Sequence, residues 1–243
     1  MSDAMLSPAD RLKQAAAERA VAMVEDGMVL GLGTGSTTAF AIAAIGRRMV
    51  AEKLKLVGIP TSEASAAQAR ALGIPLVDFS THTAIDLTID GADAVDLVDF
   101  TLIKGLGGAL LREKIVASVS ARMAVIVDIS KTVGALGSRT PVPVEVVDFG
   151  RQVTIRRLEA LGAEVTLRVD GDGRPRITDG GNSILDCRFG AIADPAGLAD
   201  RIKSSIGVIE TGLFIGLATD IVIADAEGVR VVSRPASSRE SAR

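Results

Sequence analysis

Between Met28 and Asp128 short apolar runs alternate with segments of helical spacing, and glycine-rich turns join several of them. Met28-Val29-Leu30 leads through Gly31-Leu32-Gly33-Thr34-Gly35-Ser36-Thr37-Thr38 into a helical stretch that ends about Met49. Leu54–Ile59 reads as the next strand, Ser62–Leu72 as the next helix, and a short strand follows near Pro75–Val77. Ala84–Asp90 is a further strand, Ala109–Ser120 a helix, and Ala124–Asp128 a strongly apolar strand. A helix over residues 10–25 precedes them, with Leu12, Ala15, Ala16, Ala20, Val21 and Val24 at helical spacing. This alternation predicts an α/β fold whose mostly parallel sheet carries helices on both faces.

The pattern changes after Val133. Pro141 and Pro143 bracket the start of a strand-like segment, Val142–Val147, and Gln152–Leu161 reads as a helix ending at Gly162. Glu164–Val169 is a strand entering the turn Asp170-Gly171-Asp172-Gly173; Asn182–Cys187 is another strand and Pro195–Ser205 is helical. The expected organisation is a main α/β domain over 1–133 and a small α+β domain over 134–206. Residues 207–243 then return to the first domain, through the strand-rich Gly207–Ala224, and end in a frayed tail from Pro235.

Composition narrows the chemistry. Cys187 is the only cysteine and His82 the only histidine, so a disulfide framework, a multi-cysteine metal site and a paired-histidine zinc site lack their residues. A formal net charge of -3 gives no general attraction to nucleic acid or to an anionic membrane. The lack of Trp and Tyr removes the usual stacking platforms for single strands. The opening MSDAMLSPADRLK has no apolar core of signal-peptide type, and no uncharged apolar run has the length to cross a bilayer, so a cytoplasmic location is expected. Catalysis, if present, rests on Asp, Glu, Lys and backbone groups, with neither metal nor cofactor.

Two clusters are suited to it. Gly31–Thr38 lies after a strand and before a helix, where converging backbone N–H groups and the Ser36 or Thr37 hydroxyl suit an anion such as phosphate. It lacks the Gly-Lys-Ser/Thr ending of a Walker loop and the third glycine of a dinucleotide fingerprint; a plain capped turn is the alternative. Asp90-Gly91-Ala92-Asp93 ends an apolar strand and can aim two acids into one crevice, or simply cap a turn. Glu113 lies three residues before Val116 and four before Ala117, which places it partly on an apolar helical face. Desolvation there disfavours the charged carboxylate and brings it toward the range useful for a base; pairing with Arg112, Lys114 or another nearby basic residue is the alternative. Lys104 stands just before the turn Gly105-Leu106-Gly107-Gly108, able to offer positive charge to an oxyanion or phosphate.

GLGTGSTT (31–38), DGAD (90–93), KGLGGALLREK (104–114) and DGGN (179–182), in this order and spacing, resemble ribose-5-phosphate isomerase of type A, over about Leu12 to Val232. The resemblance implies a Rossmann-like domain with a small ferredoxin-like α+β domain, in a homodimer or dimer-based tetramer. It implies interconversion of D-ribose 5-phosphate and D-ribulose 5-phosphate through a cis-enediolate, with Glu113 as general base. Asp90 and Asp93 would shape the site and assist proton movement, and Lys104 would stabilise the sugar oxygens. Thr34, Gly35, Ser36 and Thr37, the glycines Gly105, Gly107 and Gly108, and the lysines Lys131 and Lys13 would contact the phosphorylated sugar. The chain departs from the family pattern at Ala94, where Glu is usual, and at Leu106, often glycine. A non-catalytic sugar-phosphate sensor and a dinucleotide-dependent oxidoreductase are the competing readings. His82 and Cys187 lie outside every matched motif, His82 in a polar turn and Cys187 in a strand.

Overall fold

The computed structural model describes residues 6–235. In chain order, the first elements are α1 (Pro8–Val21), β1 (Val29–Leu32), α2 (Ser36–Glu52), β2 (Val57–Pro60), α3 (Glu63–Ala71) and β3 (Ile85–Gly91). Then come β4 (Ala94–Val95), β5 (Leu102–Ile103), α4 (Leu110–Ser118), β6 (Ser120–Asp128) and a 3-10 turn, Ile129–Lys131. β7 (Val142–Val146), α5 (Arg151–Ala160), β8 (Glu164–Leu167), β9 (Ser183–Arg188), α6 (Pro195–Lys203) and β10 (Val208–Thr211) follow. β11 (Leu213–Phe214), β12 (Asp220–Asp225) and β13 (Gly228–Ser233) complete the order. The chain forms two compact units: one holds the segments up to Gly91, Ile115–Lys131 and from Leu217 onward, the other Ala92–Lys114 and Thr132–Gly216.

The first unit is built on a six-stranded sheet of order β13-β12-β6-β3-β1-β2. All neighbours run parallel except β13, which pairs antiparallel with β12 at one edge. Leu30 and Leu32 of β1, Leu87 and Ile89 of β3, and Ala124 and Ile126 of β6 join Ala16, Ala17 and Ala20 of α1 and Ile42 and Ile45 of α2 in the main core. The small alanines let α1 lie close to the sheet, and its start is fixed by Ser7, whose hydroxyl accepts from the Asp10 N–H at 3.1 Å. Gly31 points to the opposite face by strand alternation, and there Thr88 and Val116 of α4 occupy the space beside it. Helices therefore cover both faces, as the alternation predicts.

The second unit contains a four-stranded antiparallel sheet of order β10-β7-β9-β8. With α5 between β7 and β8 and α6 between β9 and β10, this is the ferredoxin-like βαβ-βαβ arrangement. Val142, Val144, Val146, Leu185 and Cys187 form its apolar face against Leu158, Leu198 and Ile202 of the helices. A three-stranded sheet, β11-β5-β4, belongs to the same unit.

Several boundaries differ from the sequence reading. The strand expected near Pro75–Val77 is a single bridge between Leu76 and Gly58. Pro75 has no N–H to donate, so the pairing stops after its carbonyl accepts from Gly58 and Val77 donates back. The helix expected to reach Ser120 ends at Ser118, and the strand after it begins at Ser120, not Ala124. Within Gly207–Ala224, β10 pairs with β7 and β12 joins the first sheet. From residue 236 onward, the tail expected to fray lies outside the described residues, as do residues 1–5. Among the described residues no helix is long and apolar enough to cross a membrane.

Candidate active site

In the first unit the sheet order reverses between β1 and β3, whose chain neighbours leave in opposite directions. The carboxyl ends of such strands form the ligand crevice of an open α/β sheet. The loop after β1 and the end of β3 both lie there. Asp90, fully buried, accepts the Thr34 N–H at 3.1 Å and the Gly91 N–H at 2.7 Å on the same Oδ1. The approach is so close that a Cβ on Gly33 would stand 2.2 Å from Asp90 Oδ1, so only glycine fits.

The Thr34 hydroxyl is fixed as well. It lies 2.7 Å from Thr61 Oγ1 and 2.8 Å from Ser62 Oγ, while Ser65 Oγ donates to the Gly33 carbonyl at 2.6 Å. Thr61, Ser62 and Ser65 carry no mark in the sequence beyond a Ser-type helix cap. The signal that identifies them is topological: β2 is parallel to β1, so its following residues reach the same edge. Gly35 caps α2, with Ser36 exposed and Thr37 half-buried at the helix start. N–H groups and hydroxyls at a helix start are the donors an anion would need. Lys131 ends the 3-10 turn after β6, at the same carboxyl edge. Lys13 is ion-paired with Asp10 at 3.1 Å within its own helical turn.

The second unit holds a buried ion pair. Lys104 and Glu113 are 2% and 4% exposed, and Lys104 Nζ stands 3.2 Å from Glu113 Oε1. Of the neighbouring basic residues, Arg112 reaches Asp179 (3.6 Å) and Lys114 reaches Glu210 (2.9 Å). Adjacent helical residues point in different directions, which is why the neighbours in sequence are not the neighbours in space. Glu113 lies in the first turn of α4, where the helix dipole favours a carboxylate. The Lys104 N–H is anchored to the Gly212 carbonyl at 2.9 Å. Asp93 holds the intervening turn through the Leu106 N–H, at 2.9 Å from its Oδ2.

Phe214 was not among the expected site residues, yet its ring centroid lies 5.4 Å from Lys104 Nζ and 4.9 Å from Lys114 Nζ. Lys114 also donates to the Leu213 carbonyl at 2.9 Å, tying α4 to β11. Burial pushes the Lys114 ammonium below the usual lysine range, and Glu210 offsets this only in part. Burial would raise the Glu210 carboxyl, but the Lys203 and Lys114 ammoniums and the Thr211 N–H outweigh it and hold the carboxyl low. The turn Asp179–Asn182 is hooked in beside them, Asn182 Nδ2 donating to buried Glu145 at 2.8 Å.

Outside these clusters, His82 is half-buried in a turn, within 2.9 Å of Thr81 Oγ1. Cys187 is fully buried, and burial, assisted by Asp186, pushes its thiol up to about 12, which removes it as a nucleophile at neutral pH. Among the described residues no group of three or more His, Cys, Asp or Glu is placed to hold a metal ion.

The family model described as ribose 5-phosphate isomerase A (phosphoriboisomerase A) matches residues 57–228. The chain is 56% identical over 228 residues to ribose-5-phosphate isomerase A of Gloeobacter violaceus, covering 94% of this chain and 98% of that protein. It is 52% identical over 227 residues to the protein of the same name from Synechococcus sp. (strain JA-3-3Ab), covering 93% and 99%. The solved ribose 5-phosphate isomerase A of Methanocaldococcus jannaschii superposes with a TM-score of 0.89 at 40% identity, over 93% of this chain and 99% of that one. A D-ribose-5-phosphate isomerase solved in complex with phospho-erythronic acid gives a TM-score of 0.91 at 37% identity, over 94% and 100%.

Proposed function

This chain belongs to the ribose 5-phosphate isomerase A family and interconverts D-ribose 5-phosphate and D-ribulose 5-phosphate, and we propose that Glu113 carries the proton in that reaction. The observation that carries the proposal is the buried Lys104–Glu113 pair, 3.2 Å apart, on either side of a glycine turn. An ammonium at that distance keeps the carboxylate ionised inside the protein and therefore able to accept a proton.

In the open-chain aldose, Glu113 takes the proton from C2 and a cis-enediolate forms. As Glu113 becomes neutral, its attraction for the Lys104 ammonium weakens while negative charge develops on the sugar oxygens. The preorganised ammonium then stabilises the enediolate without solvent reorganisation. Glu113 returns the proton to C1, and a proton moves between the neighbouring oxygens. Asp90 and Asp93 serve by shape: one fixes the Thr34 turn and the other the Leu106 turn.

We place the phosphate at Thr34–Thr37, with Lys131 and Lys13 as further basic contacts. The relative bound to phospho-erythronic acid supports a phosphorylated, hydroxylated anion as ligand. Family membership decides against the non-catalytic sensor and the dinucleotide-dependent oxidoreductase. A cytoplasmic homodimer or dimer-based tetramer remains part of the proposal, which sedimentation of the purified protein tests for the assembly and cell fractionation for the location. For the base, Glu113→Gln retains the fold and loses most of the turnover with D-ribose 5-phosphate; near-parent kcat in a folded variant contradicts the assignment.

A further inference from the structure

The four-stranded sheet of the second unit has two unlike faces. Val142, Val144, Val146, Leu185 and Cys187 point into its core. By alternation Pro143, Glu145, Ile184 and Asp186 point the other way, and that face, although it carries charge, is not a plain solvent face. Glu145 is 1% exposed and Arg168, one residue beyond β8, is 9% exposed. Glu145 accepts from Thr178 and Asn182, while Arg168 supports the turn between Lys104 and Glu113.

Arg168 Nη1 donates to the Gly105 carbonyl at 2.7 Å and to the Leu106 carbonyl at 3.1 Å. Its remaining fork is taken by Asp186, Nε donating to Oδ2 at 2.9 Å and Nη2 pairing with Oδ1. Arg176 Nη2 donates to the next carbonyl, that of Gly107, at 2.9 Å. The two arginines are tied to each other, the Arg176 N–H donating to the Arg168 carbonyl at 3.0 Å. Three successive carbonyls of the glycine turn are therefore held by two guanidinium groups from one hairpin. Gly105, with φ of +108°, lets the turn descend onto this face; a Cβ there would meet Leu110 at 2.8 Å and Pro143 at 3.2 Å.

We propose that Arg168, locked by Asp186, is a positioning residue for catalysis, fixing the Gly105–Gly108 turn so that Lys104 and Asp93 are held at their working places. The inference rests on the reading of Lys104 and Glu113 given above. It explains why arginine stands at this position. A planar five-donor fork grips a carboxylate on one edge and two carbonyls at the other end, whereas a lysine ammonium is a single point that cannot do both. Displacement of a positioned group by a fraction of an ångström up to about 1 Å costs up to about a hundredfold in rate.

The test compares Arg168→Lys and Asp186→Asn with the parent in the D-ribose 5-phosphate assay, each variant's folded state checked by circular dichroism and cooperative thermal unfolding. Folded Arg168→Lys is expected to lose at least about tenfold in kcat, with a smaller change in KM. A merely structural role lowers the melting temperature and leaves kcat per folded molecule at the parent value, and that result overturns the proposal. Should Arg168→Lys not fold, Asp186→Asn, which keeps the shape of the pair and removes its charge, must show the kcat loss while folded. Failure of both to fold overturns the proposal too, because the pair is then needed for folding itself. Glu113→Gln in the same assay separates the two readings. Parent-like turnover in it removes the base assignment beneath this inference, whereas an inactive Glu113→Gln beside a fully active Arg168→Lys removes the role of Arg168 alone.

Discussion

Gly33→Ala adds one methyl group and tests whether the contact between the first glycine turn and Asp90 matters to catalysis. The new Cβ would stand 2.2 Å from Asp90 Oδ1, 2.3 Å from Cγ and 2.6 Å from Cβ. A clash with the carboxylate tip alone is relieved by a rotamer change, but a clash with all three atoms moves the whole side chain. Restoring van der Waals contact takes a displacement of about 1 Å. Asp90 has no slack to give, since its Oδ1 accepts the N–H groups of both Thr34 and Gly91. Overpacking of this kind costs about 1–3 kcal/mol in stability. For a chain of this size that is a fall of several degrees in melting temperature, about 2–4 °C per kcal/mol. Moving the turn that holds Thr34 lowers kcat/KM by about ten- to a hundredfold. The assay is initial-rate conversion of D-ribose 5-phosphate beside a thermal melt. Parent-like kinetics in Gly33→Ala would refute the claim that the Asp90–Thr34 hydrogen bond sets the turn.

Lys104→Met removes the ammonium 3.2 Å from the buried Glu113 carboxylate and is expected to cost about 3–5 kcal/mol, read as a lower melting temperature, together with about a hundredfold or more in kcat. Adding Glu113→Gln in that background recovers part of the stability and none of the activity; a double variant no more stable than Lys104→Met sinks the pairing argument. Asp220, buried on β12, titrates below the usual carboxylate value of 3.8: burial raises it, but the hydroxyls of Ser233 and Thr219 and the Arg122 guanidinium outweigh that. A carboxylate lowered in the folded state stabilises the fold fully above its unfolded value and loses that contribution as pH falls through the folded one. Asp220→Asn is therefore less stable than the parent at neutral pH, by about 1–3 kcal/mol, and the difference closes in acid below pH 3.8. A pH-independent difference in denaturant unfolding contradicts this.

The first unit is legible in the sequence because its elements are long enough to carry a period, and because a glycine turn marks the carboxyl end of β1. β4 and β5, with two residues each, are too short for any period to register. β13 was not expected, since its half-exposed edge pattern, with Arg230 between Val229 and Val231, resembles a loop after the Asp225–Gly228 turn. At the site, the helical spacing of Glu113 correctly indicates a buried carboxylate, while its partner does not follow from spacing. Lys104 meets it across a folded turn, and only the three-dimensional path of Gly105–Gly108 makes that contact. Arg168 and Asp186 were missed for a related reason. Each looks like a surface charge on a strand, and their burial depends on a turn more than sixty residues away in sequence, at a sequence separation of 63 for Arg168 and Gly105. Thr61, Ser62 and Ser65 escaped because strand order, not strand content, brings them to Thr34.

The proposed role of Glu113 in moving the carbon-bound proton is open to a hydrogen-exchange experiment on the substrate. Parent protein and Glu113→Gln are incubated with D-ribulose 5-phosphate in D2O, and deuterium incorporation into the recovered sugar phosphates is followed by NMR. The parent is expected to incorporate deuterium at the isomerising carbons, and a folded Glu113→Gln to do so more slowly by about a hundredfold or more. Exchange at the parent rate in that variant would show that another group takes the proton and would overturn the assignment of Glu113.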